Sequence, residues 1–148
     1  MKVYAEYFEE PNGNGFEFRK KTLIQIGDSW DLIGSIVMKN PGSAYPIDID
    51  KNINEDILNK ISSFYNNIDI ITKQKNEWYE FSPDATMRQV VKLFKGNYIG
   101  KNVKLNGVIQ VFNLLYLRSA DLNKAIQTLK NNNDILLDNK LVKDEEVF

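Results

Sequence analysis

The chain has 148 residues, enough for one domain with a sizeable core. Its 19 basic and 20 acidic residues leave a net charge of −1, so there is no global attraction to phosphate backbones. With no cysteine and no histidine, disulfides, thiolate metal sites, a cysteine nucleophile and the commonest general base are all excluded.

Any chemistry must therefore rest on Asp, Glu, Lys, Ser, Thr, Tyr, Asn or Arg, and no cofactor or metal is expected. No apolar run approaches the roughly 20 residues that span a bilayer, and the start M-K-V-Y-A-E lacks a signal-peptide layout. The expectation is a cytoplasmic protein with no membrane partner.

Residues 3–8 are β-prone and alternate loosely. The turn signal P-N-G-N-G at 11–15 leads to a second strand at 16–26, bent near Arg19-Lys20-Lys21. Together they read as an N-terminal β-hairpin. Arg19-Lys20-Lys21 reads either as a solvated edge that resists edge-to-edge pairing or as a phosphate contact.

After the turn Gly27-Asp28-Ser29, residues 30–38 hold the near-continuous apolar run Leu32, Ile33, Ile36, Val37, Met38, which fits a central strand buried on both faces. Residues 41–52 carry two prolines and no helical period, so they form a loop. Ile57, Ile61 and Phe64 predict a helix over 54–65, capped by Asn52 or Asn54. Ile68, Ile70 and Ile71 suggest a short strand, and Trp78-Tyr79-Glu80-Phe81 an aromatic strand or loop.

Met87, Val90, Val91 and Phe94 recur at i, i+3, i+4 and i+7, which predicts a helix starting at Asp84 and ending at Gly96. Residues 107–117 form the second buried-strand candidate. Leu122, Ala125, Ile126 and Leu129 give one more helix, with Ser119 as its cap. The apolar fragments at 135–137 and 141–142 and the ending Val147-Phe148 suggest the lead-in to a further strand, hence a truncated C-terminus. Two buried strands, each followed by a helix, indicate a single α/β domain.

In such sheets ligands bind beyond the carboxyl ends of the strands. Asn40-Pro41-Gly42 is there either as a plain turn or as a site. In the second case Asn40 offers a fixed amide, Pro41 stiffens the loop, and Gly42 lets a ligand approach the backbone, with Ser43 beside it. Asp84 and Arg88 lie one turn apart at a helix start, either as a cap and a surface charge or as holders of an anion. Arg118, just past the second strand, has the same two readings. Asp28, Asp31, Asp48 and Asp50 match no calcium loop. Trp30, Tyr45, Trp78, Tyr79 and Phe81 serve as packing or as stacking surfaces for bases, with Tyr45 bordering the loop.

The run I-V-M-K-N-P-G-S-A resembles the M-L-N-P-S/T-x-A signature of the bacterial and phage family known as domain of unknown function sixteen-forty-three. D-A-T-M-R at 84–88 resembles its D-P-T-I-R block, and residues 107–122 resemble its G-x-V-x-V-x-N-L-F-x-x-R block, in the same order. Gly42 for Ser/Thr and Ala85 for Pro are departures.

K-N-P-G also resembles, more distantly, the G-I-N-P-G motif of the uracil-DNA glycosylase superfamily. That resemblance implies a three-layer α/β/α domain with a mainly parallel central sheet. It also implies a water-orienting Asn40 and a base contact from Asn113; if the protein is an enzyme, an Asp such as Asp84 is the expected general base. The expected ligand set is Pro41, Gly42, Ser43, Tyr45, Arg88, Asn113 and Arg118. The function implied is binding or processing of a nucleobase- or nucleotide-type ligand or of single-stranded nucleic acid. The alternative is a catalytically inactive protein-interaction module of bacterial or phage origin.

Overall fold

The structure, a computed structural model, describes residues 1–9, 15–39, 41–119 and 121–131, without the side chains of 122, 125 and 129. The turn residues 11–14, Asn40 and the apolar fragments beyond 131 lie outside the described residues. The strands are β1 (Lys2–Glu9), β2 (Glu17–Ile26), β3 (Leu32–Met38), β4 (Trp78–Phe81) and β5 (Gly107–Asn113). The helices are α1 (Glu55–Tyr65), α2 (Asp69–Thr72), α3 (Ala85–Phe94) and α4 (Leu122–Asn131). Among the described residues no helix is long and apolar enough to cross a membrane.

The strands form one sheet in the order β3-β5-β2-β1-β4. Only β3 and β5 pair in parallel; β1 with β2, β1 with β4 and β2 with β5 are antiparallel. The protein is thus mixed α/β, and the expected mainly parallel sheet is corrected to a mostly antiparallel one. The reason lies in the connections. A parallel neighbour requires a crossover of a dozen or more residues, and the short chain between β1 and β2 cannot make one.

Residues 30–38 are also corrected. β3 starts at Leu32 and is an edge strand, with Leu32 55% and Val37 51% exposed. A short apolar run cannot distinguish a strand covered on both faces from one covered on a single face. The middle of the sheet is β2, flanked by β5 and β1.

Alternation along β1 divides the core between the two faces. Val3, Ala5 and Tyr7 join Ile24, Phe81, Ile109 and Val111 under Met87, Val90 and Val91 of α3. Tyr4, in between, joins Leu23, Trp78 and Val108 under Leu58 and Ile61 of α1 and Ile70 of α2. The two clusters therefore lie on opposite faces of the sheet. The aromatic run at 78–81 is core packing. Trp78 is fully buried, Tyr79 and Phe81 meet the Tyr7 ring edge-on, and Trp30 stacks on Tyr4 at 5.8 Å.

Residues 68–71, expected as a strand, form the single-turn helix α2. Ile70 is buried and Ile68 is exposed. Asn66 ends α1 in the left-handed conformation at φ 49°, and the Asn67 side chain accepts from the Asp69 N–H at 3.0 Å, which starts the next turn. That local capping overrides the β-branched composition.

Of the two expected caps of α1, Asn54 serves: its Oδ1 accepts from the Ile57 N–H at 2.9 Å. Asn54→Ala is expected to lower stability by about 1 kcal/mol, read as a fall in the urea midpoint, whereas Asn54→Asp retains the cap and the midpoint.

Candidate functional site

The parallel pair brings two strand ends together. Met38 pairs with Asn113, and beyond them the Leu114 and Leu115 N–H groups donate to Met38 O and Lys39 O at 2.9 and 3.0 Å. Next to these ends lies the start of α3. There Asp84 Oδ1 accepts from the Met87 N–H at 2.8 Å, the cap expected from the sequence. Between strand ends and helix start is a cavity of about 480 Å³, lined by Arg19, Met38, Gly42, Asp84, Thr86 and Asn113 among others. That volume suits a small ligand.

Of the residues singled out from the sequence, Gly42, Asp84 and Asn113 meet at this cavity. Gly42 is there because a side chain will not fit easily: a Cβ would lie 2.9 Å from Asp84 Oδ2. Asn113 is 2% exposed, and its Nδ2 has no hydrogen-bond partner. Asn40 lies outside the described residues.

Arg118 instead holds the loop. Its Nε donates to Ala44 O and its Nη2 to Ser43 O, each at 2.7 Å, while Nη1 pairs with Glu17. Its guanidinium also lies 5.0 Å from the Tyr45 ring, and burial lowers its pKa with Tyr7 opposing. Pro41 O accepts from the Ser119 N–H at 3.3 Å. Ser43, Tyr45 and Pro41 thus shape the loop that bears Gly42. Arg88 is exposed on α3 and does not line the cavity, although its neighbours Thr86 and Met87 do.

What sequence reasoning misses is the burial of Arg19 at this cavity, apart from Lys20 and Lys21. Arg19 is 3% exposed, and its Nε and Nη1 have no hydrogen-bond partner. The guanidinium lies 5.6 Å from the Phe81 ring centre. Burial pulls its pKa down to about 10, with the Asp84 charge acting in the opposite direction, so it remains a cation at neutral pH.

The placement comes from a β-bulge. Tyr4 pairs with Leu23 and Glu6 with Lys20, so one residue of β1 faces two of β2, Lys21 and Thr22. Lys21 takes φ 52° there. One extra residue exchanges the faces of everything preceding it. Arg19 therefore pairs with Tyr7 on the α3 face, and Lys20 turns to the α1 face.

On the α1 face Lys20 and Lys21 lie 3.6 and 3.5 Å from the fully buried Glu6 carboxylate. Burial raises the Glu6 pKa, and the two lysines pull it back down. The solvated-edge reading of Arg19-Lys20-Lys21 is thus corrected. The available signal is the period of a strand: three consecutive basic residues cannot all face one side, and in a sheet covered on both faces at least one is buried.

Comparison of the chain with family models, with curated proteins and with solved structures finds no significant match.

Proposed function

We propose that the chain binds a small nucleobase- or nucleotide-type ligand in the cavity at the carboxyl ends of β3 and β5, as a distant three-layer relative of the glycosylase-like families its motifs resemble. One observation carries the reading: Gly42, Asp84 and Asn113, from separate parts of the chain, converge with Arg19 on one cavity, and Arg19 and Asn113 carry buried donors without partners. A buried donor without an acceptor costs roughly 1–3 kcal/mol, a cost that an acceptor-rich ligand removes. Helices on both faces of the sheet support the three-layer kinship. In a bond-cleaving form of this reading, Asn40 orients water and Asp84 accepts its proton through Oδ2, since Oδ1 is committed to the helix cap.

The test is a thermal-shift screen against nucleobases, nucleosides, nucleotides and short single-stranded DNA, with wild type and Asn113→Leu side by side. A ligand at 100 times its Kd adds about 2.7 kcal/mol of stability, several degrees in a chain of this size. The expected result is such a rise in wild type that is reduced or lost in Asn113→Leu. No rise with any ligand refutes the reading.

A second reading, a protein-interaction module, is supported by the exposed apolar group Leu93, Tyr98, Ile99 and Val103 around the end of α3, with Ile99 74% exposed. It predicts capture of a protein partner that Ile99→Asp abolishes.

A further inference from the structure

We infer that the cavity contains an oxyanion subsite, formed by the Arg19 guanidinium and the Asn113 amide, and that its ligand belongs to the phosphate monoesters. The inference rests on the cavity being the ligand site and names what holds the ligand's charged end.

Arg19 is buried beside the cavity, yet among the described residues it makes no ion pair with a carboxylate. The other arginine near the loop, Arg118, has partners for each of its guanidinium nitrogens. Two nitrogens of Arg19 and the Nδ2 of Asn113 are instead buried without acceptors, and both residues line the same cavity. A planar cation with donors at fixed angles matches the several acceptor oxygens of a phosphate. The start of α3, ten residues long, borders the same space through Thr86 and adds the positive end of a helix dipole.

Asp84 bears on which phosphate compounds fit. Its carboxylate borders the same cavity, so bare phosphate meets one favourable and one unfavourable charge. A ligand with a phosphate at one end and an N–H or O–H donor at the other satisfies Arg19 and Asp84 together. A nucleoside monophosphate has both.

Isothermal titration decides it, with a nucleoside 5′-monophosphate, the matching nucleoside and inorganic phosphate as probes of wild type, Arg19→Met and Arg19→Lys. In wild type the monophosphate is expected to bind at least about tenfold more tightly than the nucleoside. Arg19→Met removes that difference. Arg19→Lys retains the charge without the planar donors and recovers only part of it, and it remains the reference if Arg19→Met folds poorly. Equal binding of nucleoside and monophosphate to wild type overturns the oxyanion subsite and leaves the nucleobase reading standing. Equal binding of the monophosphate to wild type and both variants places the anion elsewhere and also overturns it. Arg19-dependent binding of inorganic phosphate without nucleotide binding supports the subsite and refutes the nucleotide reading. No binding of any probe refutes both.

Discussion

Replacing Arg19 with methionine is expected to make the ligand-free protein more stable. A guanidinium whose pKa is pulled down to about 10 on folding carries a penalty of about 3 kcal/mol for its burial. The Asp84 charge and the Phe81 ring oppose that penalty without cancelling it. Methionine fills similar space, has no polar hydrogen to satisfy, and packs against Phe81. The net gain is expected to be about 1–3 kcal/mol at pH 7, read as a higher urea midpoint with an unchanged slope.

The sign also fixes a pH dependence. The folded protein loses the Arg19 proton at lower pH than the unfolded chain does. The penalty is therefore complete below about pH 10, and wild-type stability recovers as pH rises from there toward the ordinary arginine range. The gap between variant and wild type should narrow in that range. A lower midpoint for Arg19→Met at pH 7 would show that Arg19 is a structural residue with partners of its own.

Trp78→Ala is expected to have the largest destabilising effect. Trp78 is the largest of the fully buried side chains and sits in the cluster under α1 and α2, with the Tyr65 ring 6.2 Å away. Its truncation leaves a cavity bounded by the sheet on one side and two helices on the other. Losses of about 3–5 kcal/mol follow such changes, a large part of the 5–15 kcal/mol that holds a typical domain. β4 is the last strand of the sheet, paired with β1 on one side and held on the other by loop contacts, with Pro46 bridging Phe81 and the Ile47 and Ile53 N–H groups donating to Glu80 O and Trp78 O. Trp30, on the same face, remains as the fluorescence reporter for the urea curve. The cavity of the candidate site lies on the opposite face, so the folded fraction of Trp78→Ala should bind ligand with wild-type affinity. A shift below 1 kcal/mol would mean that the α1 layer contributes little to stability.

What the sequence reveals of this fold is what is decided locally. Asp84 precedes Met87, Val90, Val91 and Phe94 at helical spacing, and cap and helix both form from those few residues. Asn54, one of two cap candidates, is legible for the same reason, whereas the second buried-strand candidate, expected to run to 117, ends at Asn113. β3 is different, because its apolar run is the same whether it lies in the middle of the sheet or at its edge. Its position depends on a partner far along the chain, with Ser35 and Gln110 separated by 75 positions. Arg19 is hidden by a register shift: the bulge at Lys21 and Thr22 decides which face it occupies, and only pairing with β1 reveals the bulge. Ile68, Ile70 and Ile71 fail for a third reason, since a three-isoleucine stretch has too few positions to separate a period of two from one of 3.6.

The sheet order has a consequence for how the molecule comes together. β1 and β2 are neighbours in sequence and in space, so they can pair early at little loss of chain entropy. β3 and β5 must close a segment some ten times longer, and among the described residues β3 pairs with no other strand. Contacts so distant in sequence form late. The cavity draws on β2, on the loop after β3, on the start of α3 and on the end of β5, so it is among the last features to exist. Opening of β3 alone would dissolve it while β1, β2 and β4 remain joined. Occupancy by a ligand therefore reports completion of the fold, and it protects the amides of the β3–β5 ladder from exchange before it protects any others.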